Sequence, residues 1–424
     1  MGLDFFYCKK CLMPSTRPRM TFNNDGVCNG CIRAEEKKYI IWDQHENELI
    51  ALCDKYRGNG KDWDMIIPWS GGKDSYHIAY NMKEVYGMKP LLVKVAPLIP
   101  TRIGRLNEEN IRDQGYDLIV IHPGREYVDL CKKGFIEQGR PQMGFVTGIT
   151  TALVKLAMAY GIKWLMYGEE GETEYGGRTD YKGPESFNRT WIKDVYFSGY
   201  DTNDYEINSP WWYLPSQEEL DKSGIFLTHW SYFSFWESEK HFETAKKMGF
   251  QYNPQPDEGV TGKGTFTNYT SLDDPYMRTL HTHLMFLKFG FGRGSHEATG
   301  EIRAGRMTRE EGIELAEQYD NYDCRDYLGK YLKLFDMLAE QFINILDNHV
   351  NGALLVNNDG VWELRKDIHW GLTKDNPLYC EERGICGQLI RPERQESASC
   401  RGIWTDRHSD MSGLPPITCR SEGS

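Results

Sequence analysis

The stretch that most constrains the fold is DMIIPWSGGKDS, residues 64–75. Residues 65–69 read as a buried strand, 70–75 as a tight turn, and 75–86 as a helix opened by Asp74 and Ser75. Gly71 and Gly72 let the backbone approach a bound anion, and consecutive N–H groups can point inward as a nest. The following helix brings its positive N-terminal end to the same place. Ser70 and Ser75 offer hydroxyls and Lys73 a point charge. Together Ser70, Gly71, Gly72, Lys73, Asp74 and Ser75 read as a phosphate cradle. The spacing G-x-x-x-x-G-K-S/T is absent, so this is not a Walker A loop.

The pattern continues with strands at 90–96, 117–121 and 163–167 and helices at 107–114 and 148–160. Strands apolar along their length belong in a parallel sheet covered on both faces. The order argues a doubly wound α/β domain, whose ligands sit beyond the carboxyl ends of the strands. The loops 70–75, 97–105 and 168–177 are therefore expected to converge. The last, GEEGETEYGG, carries Glu169, Glu170, Glu172 and Glu174 with no basic partner nearby in sequence. A lone acidic run is usually a solvated loop. Facing a polyphosphate, its carboxylates can instead hold Mg²⁺. Glu169, nearest the strand, is the first candidate and Asp74 the second.

Cys8, Cys11, Cys28 and Cys31 form C-x2-C-x16-C-x2-C. Each pair can fold as a knuckle aiming two thiolates at one point, and two knuckles close a tetrahedral site that suits Zn²⁺. An iron–sulfur cluster also takes four thiolates; the paired, symmetric knuckles favour zinc. Four protein ligands leave no open position, so the expected role is to staple a small module with little core of its own. A linker helix is expected over 34–56.

The chain has 424 residues, 40% hydrophobic and 26% charged, which is ordinary globular composition with room for two or three domains. A net charge of −12 argues against a dedicated nucleic-acid binder. No apolar run reads as long enough to span a bilayer, and the N-terminus lacks a signal peptide's basic start and apolar core. The cytoplasm is the expected compartment. There the eleven cysteines fit metal binding and buried thiols better than a disulfide framework.

The aromatics dense in 185–236 can stack on a sugar or uracil ring, but core or lid packing is their commoner role. His281 and His283 have no further ligands nearby in sequence and read as ordinary. Arg293, Arg303, Arg306 and Arg309 are suited to phosphate or carboxylate contacts, or to plain ion pairing. Thr308 and Glu311 have the spacing of a capping box. An amphipathic helix is expected over 326–349, and 391–424 reads as a loosely ordered tail.

SGGKDS resembles the SGGxDS pattern of the PP-loop ATP pyrophosphatases, which cleave ATP between the α and β phosphates. The cysteine pairs, PWSGGKDS, PLLVKVAP, YGEEGETEYGG and KFGFGRGSHEATGEIRAGRMTREEGIEL together resemble the N-acetyl sugar amidotransferases of bacterial surface-glycan pathways, including those of O-antigen sugars and nonulosonic acids. The resemblance covers residues 6 to about 319 and fades through 200–257 and after 322.

It implies an α/β fold of PP-loop type with a small N-terminal Cys₄ zinc module and a helical C-terminal region. The implied division is a zinc module and linker at 1–57, an ATP-binding domain at 58–180, a substrate and lid region at 181–322, and a helical region at 323–424. The implied reaction converts an N-acetyl group to an acetamidino group through an adenylated imidate and ammonia, using ATP, Mg²⁺ and Zn²⁺. Gly168 joins the cradle in ATP binding; Lys73, Asp74 and Glu169 are the catalytic candidates. Glu172, Tyr175, Arg293, Arg303 and Arg306 are the candidates for the sugar. A separate glutaminase subunit with a cyclase-like partner would supply ammonia, since no glutaminase signature is apparent. The alternatives are a tRNA-thiolating PP-loop enzyme and a catalytically silent nucleotide-binding assembly protein.

Overall fold

The computed structural model describes residues 3–58, 62–122, 124–177, 189–197, 199, 209–254 and 263–380. The tail beyond 380 and most of 198–208 and 255–262 lie outside the described residues. In chain order the strands are β1 (Leu3–Phe5), β2 (Met65–Pro68), β3 (Pro90–Val95), β4 (Asp117–Ile121), β5 (Trp164–Tyr167), β6 (Phe226–His229), β7 (Leu355–Asn358), β8 (Val361–Leu364) and β9 (Leu378–Cys380).

β2–β6 form one parallel sheet in the order β4-β3-β2-β5-β6. β2 sits in the middle because it is apolar on both faces: Met65, Ile66 and Ile67 are fully buried. The chain winds from β2 through β3 to β4 on one side, then crosses back to β5 and β6 on the other. The reversal opens a crevice beyond the carboxyl ends of β2 and β5, where doubly wound folds bind ligands. The protein is thus an α/β chain built on a parallel sheet, with the four-cysteine cluster at its N-terminus and helices dominating its C-terminal region.

The structure departs from the sequence expectations in several places. β6 was not foreseen: FLTH lies in a stretch so rich in apolar and aromatic residues that no period stands out. A helix at Arg125–Gln138 precedes Met143–Tyr160, and the short helix expected at 107–114 spans Arg102–Asp113, capped by Thr101, whose Oγ1 accepts from the Gly104 N–H at 3.1 Å. The linker helix is broken into Asn29–Glu36, a 3-10 turn at Lys37–Tyr39, and Trp42–Tyr56.

The helix expected at 326–349 is two, Leu328–Phe335 and Ala339–Asn348. Asp336 breaks them by taking a left-handed φ of 49°, which Asp tolerates better than most residues. Phe335 and Phe342 then each reach the core from a separate helix, while Leu338 is left 65% exposed. The 18-residue helix Met143–Tyr160 is, by length and mean hydropathy (1.4), able to cross a bilayer, contrary to the sequence expectation, but 61% of it is buried. Its Ala152, Leu153, Val154 and Ala157 pack with Ile66, Leu91, Val93 and Leu165 of the sheet.

β1 pairs antiparallel with β9. A single apolar cluster joins Phe5, Phe135, Trp212, Leu284 and Phe342, so residues from all four sequence segments share one core.

Candidate active site

The Trp69 N–H donates to the Val93 carbonyl at 2.8 Å as the chain leaves β2. Gly71 then takes φ +79°, a region open to glycine and strained for other residues. Gly72 caps the helix Lys73–Tyr80, which starts two residues earlier than the sequence implied. The serines hold the turn: Ser75 Oγ donates to the Gly72 carbonyl at 2.8 Å, and Ser70 Oγ accepts from the Gly72 N–H at 3.2 Å. The first-turn N–H groups have no partner within the helix and form the anion-binding end.

Lys73 Nζ lies 2.8 Å from both Asp74 oxygens. Asp74 Oδ1 is also 2.8 Å from Nδ1 of His241, a fully buried residue of the helix Ser238–Lys247. Burial alone would raise the Asp74 carboxyl, but the Lys73 charge and the His241 hydrogen bond prevail and hold it well below the usual range. His241 stacks on His77 at 4.1 Å. Burial, then the neighbouring His241, pushes His77 down to about 3, so it stays neutral, with Nδ1 2.9 Å from Thr244 Oγ1.

Beyond β5, the Gly168 carbonyl accepts from the Ser231 N–H at 3.1 Å. Tyr175 Oη donates to Glu169 Oε1 at 3.1 Å. Burial, then the Asp74 charge, pushes the Glu169 carboxyl up to about 7. A divalent cation would relieve this repulsion between Asp74 and Glu169. Glu170 caps the short helix Gly171–Tyr175, accepting the Thr173 N–H at 2.7 Å.

The other two glutamates turn towards the N-terminal module. Glu172 is held bidentately by Arg19 (2.8 and 2.5 Å), and Glu174 pairs with buried Lys37 at 2.5 Å. Basic partners distant in sequence thus pair with them, and Glu172 does not line the cradle cavity.

A cavity of about 270 Å³ opens at the cradle, lined by Ser70, Gly72, Lys73, Asp74, Tyr269 and Arg293 among others. Lys73 Nζ sits 5.1 Å from the Tyr269 ring centre. Arg293 opens the helix Arg293–Arg303, its Nε donating to Glu297 Oε1 at 2.8 Å. The Glu297 carboxylate also takes the Thr265 and Thr270 hydroxyls, tying the cavity wall together. Gly71, Ser75, Gly168, Glu169 and Tyr175 do not line this cavity.

Neither do two of the expected substrate arginines. Arg306 pairs with Glu301 at 2.6 Å, near Glu237 and Glu239. Arg303 donates to the Tyr175 carbonyl at 3.1 Å and to Cys28 Sγ at 3.4 Å. Arg309 reaches the Trp370 carbonyl at 2.9 Å, and Thr308 and Glu311 close the expected capping box. Of the aromatics in 185–236, Trp212, Trp230 and Phe233 are buried in the core.

Three participants escaped the sequence reading. Lys94, 2% exposed at the end of β3, pairs with Glu108 (2.9 Å) and Asp273 (3.3 Å) under the turn. A lone charge in an otherwise apolar strand was the available signal. His241 gave none, being remote in sequence from Asp74; Glu297 stands one helical turn from Arg293 but far from Thr265 and Thr270, which it also holds.

The cysteine sulfurs all lie within 4.8 Å of one another, with Cys11–Cys28 at 3.6 Å and Cys8–Cys31 at 4.0 Å. A tetrahedron with Zn–S bonds of about 2.3 Å has edges of about 3.8 Å, so the cluster fits one tetrahedral ion. Thiolates each bound to a separate iron of a four-iron cluster would stand farther apart. His283, Asp323 and Cys324 also come together, but Arg325 clasps Asp323 at 2.5 Å and His283 Nδ1 lies 3.0 Å from the Tyr322 carbonyl.

Residues 263–369 match the family model described as LPS biosynthesis protein WbpG-like, C-terminal domain. That segment is similar to the C-terminal domain of WbpG-like proteins. The matched segment contains Tyr269 and Arg293, which line the cradle cavity, and Glu297, which holds Arg293. No curated protein matches the sequence. A solved structure, the U34-tRNA thiolase NcsA from Methanococcus maripaludis with its 4Fe-4S cluster, is similar at 13% identity and a TM-score of 0.29, over 74% of this chain and 88% of that one.

Proposed function

We propose that this chain is an ATP-dependent amidotransferase that converts an N-acetyl group of a nucleotide-activated or acidic sugar to an acetamidino group in bacterial surface-glycan (O-antigen or nonulosonic acid) synthesis. The observation that carries this reading is the cavity in which cradle residues Ser70, Gly72, Lys73 and Asp74 meet Arg293 of the WbpG-like segment. An ATP cradle and a cation suited to an anionic sugar then face one space.

The cradle N–H groups and Lys73 receive the phosphates, which positions them and neutralises charge without a protein nucleophile. Asp74 and Glu169 would hold Mg²⁺, which supplies further neutralisation of the leaving pyrophosphate. The sugar's amide oxygen attacks the α-phosphorus as the bond to pyrophosphate breaks. An amide carbonyl is a poor electrophile; the O-adenylated imidate is a good one. Ammonia adds to its carbon, the C–O bond to AMP breaks, and loss of the excess proton leaves the acetamidino group. Zn²⁺ in the four-cysteine cluster is structural. The reaction runs in the cytoplasm, and a separate glutaminase subunit with a cyclase-like partner delivers the ammonia; glutamine hydrolysis by the purified chain alone would refute that source.

The test supplies ATP, Mg²⁺, ammonium and a panel of acetamido sugars, with mass spectrometry for replacement of oxygen by NH alongside AMP. AMP formed without a modified sugar counts against the reading. Tight retention of tRNA, or dependence on a persulfide donor, would favour base thiolation instead; none of the residues lining the described cavity is a cysteine.

A further inference from the structure

The loop 168–177, which carries Glu169 and Tyr175, is gripped along its second half by the four-cysteine module. Arg17 donates to the Tyr175 carbonyl at 2.9 Å and to the Gly176 carbonyl. Arg19 clasps Glu172, Lys37 pairs with Glu174, and Asn29 Nδ2 donates to the Gly177 carbonyl at 2.5 Å. Backbone meets backbone as well. A Cβ on Gly176, itself at φ +87°, would lie 2.9 Å from both the Gly30 nitrogen and Asn29 Oδ1. A Cβ on Gly30 would collide with the Arg303 guanidinium.

Arg303 is the element common to metal cluster and loop. One terminal nitrogen donates to the Tyr175 carbonyl at 3.1 Å, the other to Cys28 Sγ at 3.4 Å and Cys11 Sγ at 3.9 Å. A planar guanidinium engages two such sets only while both stay in register. A bound ion holds the four sulfurs at fixed distances around one point, and without it nothing covalent ties the two knuckles together. Partners just outside a metal's ligands are well placed to transmit its presence.

We propose that Arg303 couples metal occupancy of Cys8, Cys11, Cys28 and Cys31 to the position of the loop 168–177, which makes Arg303 a positioning residue for Tyr175 and Glu169. The four-cysteine site then sets the geometry of the reaction centre as well as stapling the module. Its kinetic consequence rests on the role proposed for Glu169; its structural consequence does not.

The test uses the full chain without nucleotide. Hydrogen exchange of the amides in 171–177 is measured in the metal-loaded protein, the metal-stripped protein, Arg303→Gln and Arg303→Lys, with β2–β4 amides as internal reference and metal content determined by mass spectrometry. Stripping and Arg303→Gln are each expected to speed exchange in the loop about tenfold or more with the sheet unchanged, a local rather than global opening. Arg303→Gln keeps its metal, and Arg303→Lys recovers part of the protection. In ATP–pyrophosphate exchange with the acetamido sugar present as acceptor, Arg303→Gln lowers kcat and leaves KM for ATP within about twofold, as expected for a lost positioning contact. Unchanged loop exchange in either perturbed form overturns the coupling, as does exchange that rises equally throughout the sheet. If Arg303→Gln fails to fold or loses metal, Gly30→Ala, which displaces the guanidinium and removes no ligand, decides by the same readout. Faster loop exchange with normal kcat sustains the coupling and counts instead against the role of Glu169.

Discussion

Removing the Tyr175 hydroxyl should move the acid limb of the reaction. Glu169 must be ionised to share a cation with Asp74, so activity rises with pH through its pKa. Burial and the Asp74 charge put that pKa at about 7, while the Tyr175 hydrogen bond at 3.1 Å opposes them by stabilising the ionised form. Tyr175→Phe therefore raises it. A hydrogen bond to a charged acceptor is worth about 1.5–3 kcal/mol. Glu169 is only partly buried, so water replaces some of the loss and the low end applies. At about 1.4 kcal/mol per pH unit the limb should climb by about one unit, towards 8. Asp74→Asn acts in the opposite sense: it removes a like charge, so the limb of its residual activity should fall below the wild type's. The assay is kcat/KM for ATP in pyrophosphate exchange with saturating acetamido sugar as adenylyl acceptor, from about pH 5.5 to about 9.5. A wild-type profile flat through pH 7, or a downward move in Tyr175→Phe, would refute the reasoning.

Lys73→Ala should lower pyrophosphate exchange by about a hundredfold or more, as loss of a group facing developing charge does, while the cysteine cluster keeps its metal; unchanged exchange would exclude Lys73 from the cradle. Gly71→Ala meets the Lys94 amine and the Trp69 ring at 3.5 Å, an ordinary contact, so only backbone strain opposes it. At about 1–2 kcal/mol for a left-handed L residue, calorimetry should show ATP binding weakened by about 5- to 30-fold. Glu297→Gln loosens Arg293 and the threonines it gathers, so KM for the sugar should rise in steady-state assays while KM for ATP holds.

The cradle and the cysteine cluster were legible because each is local. The turn needs two glycines and a helix start in consecutive positions, and each knuckle needs two cysteines three apart. The sheet was legible as far as its strands were mostly apolar and set between polar stretches, which held for β2 to β5 and failed for β6. What stayed hidden depends on contacts between distant segments. Nothing near Glu172 or Glu174 announces Arg19 or Lys37 as a partner, and the arginines of EIRAGR look alike in sequence. Arg293 faces the cavity, Arg303 the cysteine sulfurs and Arg306 the surface because the helix Arg293–Arg303 starts at the cavity wall and ends at the module. Asp74 likewise reads as a free metal ligand until His241 arrives beside it.

The charges around the cradle make a further demand. Lys73 and Arg293 are the cations among the cavity's lining, and each already faces a carboxylate, Asp74 at 2.8 Å and Glu297 at 2.8 Å. Lys94 beneath is paired with Glu108 and Asp273. Asp273 and Asp274 also line the cavity, and burial, with Asp273 beside it, pushes Asp274 up to about 7. This wall carries no excess of positive charge with which to receive a tetra-anion. One uncompensated like-charge pair at about 10 Å costs about 1.7 kcal/mol at an effective dielectric of about 20, close to a twentyfold loss of affinity. ATP should therefore bind at least about tenfold more weakly in EDTA than with Mg²⁺, and Asp74→Asn should narrow that difference by removing a negative charge from the wall. Equal binding with and without the cation would mean that backbone N–H groups and the helix end hold the phosphates alone, and that Asp74 serves to place Lys73 and has no part in holding a metal.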